Sequence, residues 1–130
     1  MSITDKRILV VDDFSTMRRM IKNVLKEIDF TNVAEADNGE NGWKVLESEE
    51  IELVISDWNM PVMSGIELLE RVRDSDKFKE LPFIMVTAEG QKENVIMAIK
   101  KGVTSYIVKP FSAEALEEKI YAAFDMEPEE

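Results

Sequence analysis

The sequence contains no cysteine and no histidine in its 130 residues. Without cysteine there is no disulfide framework, no thiolate zinc site and no thiol nucleophile. Without histidine the commonest general base and metal ligand at neutral pH is missing. Serine–histidine triads and histidine-based zinc catalysis are therefore excluded. A metal on this chain must be held by oxygen atoms, which points to Mg²⁺ or Ca²⁺. Positive charge is also scarce. Sixteen Lys and Arg stand against 27 Asp and Glu, a formal net charge of −11. That balance argues against nonspecific binding to nucleic acid or to an anionic membrane. Long apolar runs are absent too. Met1 to Lys6 holds no apolar signal region, and no stretch approaches the ~18 residues of a membrane span. The expectation is a cytoplasmic, soluble protein with no membrane insertion.

Hydrophobic residues nevertheless make up 45% of the chain, which excludes wholesale disorder. The length fits one domain, since domains cluster at roughly 100–150 residues. The expected layout is a single domain over 1–130, with its core at 7–124 and a short acidic tail at 125–130.

Five apolar runs recur at regular intervals: Ile8–Val11, Asn32–Ala36, Leu53–Ser56, Phe83–Val86 and Ser105–Val108. The first, third and fourth are nearly continuous, as strands covered on both faces are. The second is more polar, which places it at a sheet edge. Helical patterns alternate with these runs. After Phe14, Met17, Ile21, Val24, Leu25 and Ile28 form a 3.6-residue stripe. Glu40–Glu47 carries Trp43 and Leu46. Ser64 and Glu67 have capping-box spacing ahead of Leu68, Leu69 and Val72. Gln91–Lys101 carries Val95, Ile96 and Ile99 and ends at Gly102, a helix-stop pattern. Ser112 caps a last helix carrying Leu116, Ile120 and Phe124. The alternation predicts an α/β fold, a (βα)₅ unit with a parallel sheet between two helical layers.

In such sheets ligands bind at the carboxyl ends of the strands. The first run ends in Asp12-Asp13 and the third in Asp57. The fourth ends in Thr87 and the fifth in Lys109. Singly, each has an ordinary explanation: an acidic doublet, a turn aspartate, a strand threonine, a solvated lysine. Jointly they converge on one edge from four strands. Two carboxylates ~4–5 Å apart repel by roughly 3–4 kcal/mol at an effective dielectric near 20. Three of them need cations, and an all-oxygen set with Lys109 suits Mg²⁺. A carboxylate beside a divalent ion, an ammonium and a hydroxyl is arranged for phosphoryl transfer to Asp57.

These segments closely resemble the receiver domain of bacterial two-component response regulators, and within that family the chemotaxis CheY type. The resemblance runs from about Arg7 to Phe124. It rests on Val10 to Arg19, Ile55 to Pro61, Met85 to Glu89 and Tyr106 to Phe111. It implies a flavodoxin-like, doubly wound three-layer sandwich with a five-stranded parallel sheet in the order 2-1-3-4-5. Asp57 would be the phosphoacceptor. Asp12, Asp13, Asp57 and the backbone carbonyl of Asn59 would hold Mg²⁺, and Lys109 would pair with the phosphoryl group. The Lys109–Pro110 bond would be cis. Thr87 and Tyr106 would form a coupled switch, and Asn59 and Glu89 would set the lifetime of the phosphorylated form. Lys92, Ile96, Tyr106, Val108 and Lys119 would lie on a partner-binding face. The implied partners are a CheA-like histidine kinase, a FliM-like flagellar motor switch protein and a phosphatase, with the protein itself monomeric. It would not be an enzyme on an external substrate.

Ser64 departs from the aspartate common in the family, outside the acidic cluster. Trp43 is a further departure, expected to pack the second helix. Other readings are a phosphorelay intermediate or phosphate sink, a small aspartate-nucleophile phosphatase and an FMN protein. The phosphatase reading lacks a general acid at Asn59 and a cap. The FMN reading lacks a phosphate-cradling loop after the first strand.

Overall fold

The computed structural model describes residues 5–88 and 92–124, with the Lys92 side chain left out. Glu89 and the acidic tail therefore lie outside the described residues. Five strands alternate with five helices: β1 (Ile8–Val11), α1 (Ser15–Glu27), β2 (Val33–Ala36), α2 (Gly39–Ser48), β3 (Leu53–Asp57), α3 (Gly65–Asp74), β4 (Phe83–Thr87), α4 (Lys92–Lys100), β5 (Ser105–Val108) and α5 (Ala113–Ala123). The sheet order is β2-β1-β3-β4-β5 with every pair parallel, as the resemblance implied. β1, β3 and β4 are buried at every residue, so their near-continuous apolar runs reflect helices on both faces. β2 is an edge strand and exposes Glu35.

Side chains alternate across the sheet. Ile8 and Val10 join Ile55, Ile84 and Val86 on one face, under Ile21 and Leu25 of α1 and Leu116 and Ile120 of α5. Leu9 and Val11 join Val54, Phe83 and Met85 on the other, under Leu46 of α2 and Leu68, Leu69 and Val72 of α3. Two cores result, one on each side of a single sheet.

The helix ends follow local chemistry. Ser64 accepts from Glu67 N, and the Glu67 carboxylate accepts from Ser64 N, completing the capping box. Asn38 accepts from Asn41 N at the start of α2, and Ser112 from Ala115 N at the start of α5. After α4 the chain reverses at Gly102 with φ +89°, a conformation that disfavours any Cβ. Strands β3 and β4 each extend one residue past the predicted end, taking in Asp57 and Thr87. Two of the chemistry-bearing side chains thus stand on the rigid sheet and not on the loops after it.

Candidate functional site

The sheet order makes β1 and β3 neighbours, with β4 next to β3 and β5 next to β4. Their carboxyl ends bring Asp12, Asp13, Asp57, Thr87 and Lys109 to one edge. Each of Asp12, Asp13 and Asp57 offers a carboxylate oxygen, and the three oxygens lie within 4.8 Å of one another. Asp12 is fully buried, and Asp57 and Thr87 are nearly so. The Lys109 ammonium sits 3.1 Å from Asp57 Oδ1 and 3.5 Å from Asp12 Oδ2.

Backbone contacts hold these side chains in place. Asp12 Oδ1 accepts from Phe14 N at 2.9 Å, which orients the carboxylate ahead of α1. Phe14 occupies the α1 N-cap and supplies no side-chain acceptor there. Arg18 Nη1 donates to the Asp12 carbonyl at 2.7 Å, tying the first turn of α1 to the same segment. The Ser56 hydroxyl donates to the Asp57 carbonyl at 2.9 Å. Lys109 N donates to the Thr87 carbonyl at 2.7 Å, and the Lys109–Pro110 bond is cis.

Burial pushes the Asp57 and Asp12 carboxyls above the ordinary aspartate range. At Asp57 the hydrogen bond from Lys109 opposes the shift, and the negative charge of Asp12 adds to it. At Asp12 the Phe14 amide and Lys109 oppose it, and Asp13 adds to it. One ammonium does not balance three clustered carboxylates. Asp12 Oδ2 and Asp13 Oδ1 are buried with no hydrogen-bond partner among the described residues, although a buried polar atom ordinarily has one. Two unsatisfied oxygens within a group of three carboxylates fit a hard divalent cation such as Mg²⁺.

Asn59 is exposed just past Asp57. Tyr106 is half-buried and packs on the core beneath α2, α3 and α4. Ile96 and Val108 are exposed at 40% and 37%, giving the α4–β5 surface an apolar component. Lys119 is half-buried on α5. Glu89 and the Lys92 side chain lie outside the described residues.

Two contributions escaped the sequence reading. Arg18 reaches the Asp12 carbonyl, and the Phe14 amide reaches the Asp12 carboxylate. Asp two residues before a free helix N-terminus was the available clue to the second. Arg18 stands off the apolar stripe of α1, where nothing in the local pattern marks it.

A doubly wound sheet with an aspartate cluster and an opposing lysine at its carboxyl edge defines a receiver domain. The family pattern for the response regulator receiver domain matches residues 8–121, and the chain belongs to that family. Within it the similarity narrows to chemotaxis proteins. The chain is 50% identical over 119 residues to the chemotaxis protein CheY of Pseudomonas aeruginosa, covering 92% of this chain and 96% of that one. It is 47% identical over 119 residues to CheY-3 of Vibrio cholerae, covering 92% of each. The solved structure of the chemotaxis response regulator CheY4 of Vibrio cholerae superposes with a TM-score of 0.84 at 30% identity. That match covers 92% of this chain and 98% of the other.

Proposed function

We propose that the protein is a stand-alone phosphoacceptor switch of a chemotaxis two-component system. Asp57 takes a phosphoryl group from a histidine kinase and passes the signal by protein contact to the flagellar motor switch. The observation that carries this reading is the Lys109 ammonium 3.1 Å from Asp57 Oδ1, beside a carboxylate group with unsatisfied oxygens. The similarity to chemotaxis proteins supports the choice of system.

Asp57 Oδ attacks the phosphorus of a phosphohistidine. The phosphorus–nitrogen bond breaks, an acyl phosphate forms, and the imidazole leaves with the bond's electron pair and takes up a proton. Asp12, Asp13, Asp57 and the Asn59 carbonyl would hold Mg²⁺, which when bound neutralises charge on the transferring oxygens. Lys109 stabilises the same charge from the other side. The Thr87 hydroxyl donates to a phosphoryl oxygen, and Tyr106 turns inward as Thr87 moves. The surface carrying Ile96, Tyr106, Val108, Lys92 and Lys119 then changes shape. Asn59 and Glu89 control the approach of the hydrolytic water. The protein acts on no external substrate and catalyses only its own loading and hydrolysis.

The test is intact mass after incubation with Mg²⁺ and a small acyl phosphate, beside an Asp57→Asn control. Uptake of one phosphoryl group that needs Mg²⁺ and vanishes in the variant is the expected result. No uptake by a folded protein overturns the phosphoacceptor reading. The loaded form should then bind a motor-switch peptide more tightly than the unloaded form. Transfer onward to a histidine phosphotransferase, without that gain, identifies a relay.

A further inference from the structure

At the amino ends of the strands, opposite the aspartate cluster, a cleft of ≈ 460 Å³ opens between the α2–β3 and α3–β4 connections. Its floor is apolar. Ile51, Phe78 and Leu81 are each partly buried on the edge of the core beneath α2 and α3. Its lining carries Glu47, Glu49, Glu50, Glu52 and Glu80, with Lys77 as the opposing charge. Glu49 pairs with Arg7 at 2.6 Å and Glu52 with Lys6 at 3.0 Å. Glu47, Glu50 and Glu80 are exposed and form no ion pair among the described residues. An apolar floor and unpaired carboxylates at its rim are complementary to one kind of occupant, a segment with both apolar and basic side chains.

Lys77 lies along the aromatic part of the floor. Its ammonium lies 5.3 Å from the centroid of the Phe78 ring, so the floor already accepts a cation over an aromatic face. The same ring meets Trp43 edge-on at 5.5 Å and 87°, and Trp43 in turn carries the Arg71 guanidinium at 4.8 Å. The floor is therefore braced from behind by α2 and α3, and Phe78 is held in place before any ligand arrives. Preorganisation of this kind lowers the entropic cost of binding.

We infer that this cleft docks a basic, amphipathic peptide segment of a partner protein. Arginine or lysine side chains of that segment meet Glu47, Glu50 and Glu80 while its apolar side chains cover Phe78, Ile51 and Leu81. The cleft lies at the far end of the strands from Asp57 and away from the α4–β5 surface. An occupant there leaves both open, so the docked partner stays attached while Asp57 is loaded and the α4–β5 surface is read.

The test titrates the whole protein, isotopically labelled, with a short synthetic peptide alternating arginine and leucine. Backbone amide shifts are followed by NMR. The expected shifts concentrate at residues 47–52 and 77–81. Replacing Glu47, Glu50 and Glu80 with Gln should weaken binding by roughly tenfold. An equal charge change on α5, with Glu114, Glu117 and Glu118 replaced by Gln, should weaken it by no more than about twofold, the general electrostatic contribution. Phe78→Leu should weaken binding while leaving the charge unchanged. Shifts scattered over the acidic surface, or equal losses in the two charge variants, would overturn the inference. So would an absence of binding at low salt. Shifts at the same amides on raising the concentration of the protein alone would assign the cleft to a second copy and overturn it equally.

Discussion

Gly65 presses against Asp57. A Cβ built on Gly65 would lie 2.0 Å from the Asp57 carbonyl oxygen and 3.0 Å from Met85 Sδ. The first residue of α3 is thus packed on the backbone of the proposed phosphoacceptor, and Gly65 N donates to the Trp58 carbonyl at 2.8 Å. Neither the carbonyl nor the strand that bears it can yield like a flexible side chain. Gly65→Ala should destabilise the fold by about 2–3 kcal/mol, the upper range for overpacking. It should also slow Asp57 loading in the fraction that remains folded. Chemical denaturation and loading rate measured on the same variant check both effects.

Lys109 faces two carboxylates, Asp57 at 3.1 Å and Asp12 at 3.5 Å. Lys109→Met keeps the stem and removes the charge. Loading of Asp57 should fall by roughly 10²-fold, as for loss of one preorganised donor. Mg²⁺ should bind more tightly, because the ammonium no longer shares the carboxylates. Calorimetric titration with Mg²⁺ separates these consequences. Weaker metal binding in the variant would contradict the assigned competition.

The raised carboxyls of Asp12 and Asp57 set the sign of a pH effect. Both groups hold protons more tightly folded than unfolded, so burial of their charges costs stability once pH rises through the folded pKa values. A divalent ion needs both groups ionised and offsets that cost. The rise in melting temperature caused by Mg²⁺ should be full near neutral pH. It should fade on acidification above the ordinary aspartate pKa of about 3.9. Thermal melts with and without Mg²⁺ across this range give the profile, and a pH-independent increment would contradict it.

Arg73 is an unusual staple. Its guanidinium donates to the carbonyls of Leu81 at 2.6 Å, Gly102 at 2.8 Å and Lys79 at 3.1 Å, and it pairs with no carboxylate among the described residues. Burial lowers its pKa from the ordinary arginine value. The fork joins α3 to the connections before β4 and β5, a geometry one ammonium cannot copy. Arg73→Ala should cost about 1–3 kcal/mol, and Arg73→Lys should recover less than half of that. Urea melts of the two variants decide between a staple and a replaceable surface charge.

Much of the fold could be read from local pattern. Strands covered on both faces are apolar throughout, and helices with one buried face repeat every 3.6 residues. Ser64 with Glu67, Ser112, and Gly102 marked helix ends because capping depends on residues a few positions apart. The Asp12, Asp13, Asp57, Thr87 and Lys109 group was legible for a related reason. Each stands where a strand pattern stops, and parallel topology gathers strand ends on one edge. Trp43 was expected to pack α2, and it does so against Phe78 with Arg71 over its ring. Arg73 carried no such mark. Its carbonyl partners lie on connections whose path depends on the packed sheet, and any exposed helical arginine looks the same in one dimension.

What the sequence determined by itself is the alternation of elements, their ends and the edge on which the acidic group collects, because these follow from short-range periodicity and capping. Tertiary structure alone decided the distances across that edge. Lys109 and Asp57 are separated by 52 residues and meet at 3.1 Å. That contact exists only because β4 lies between β3 and β5 in the packed sheet. The Arg73 bond to Gly102 and the cleft over Phe78 arise in the same way. Each depends on where segments distant in the chain come to rest on two shared cores, a result of burial and close packing over the whole domain.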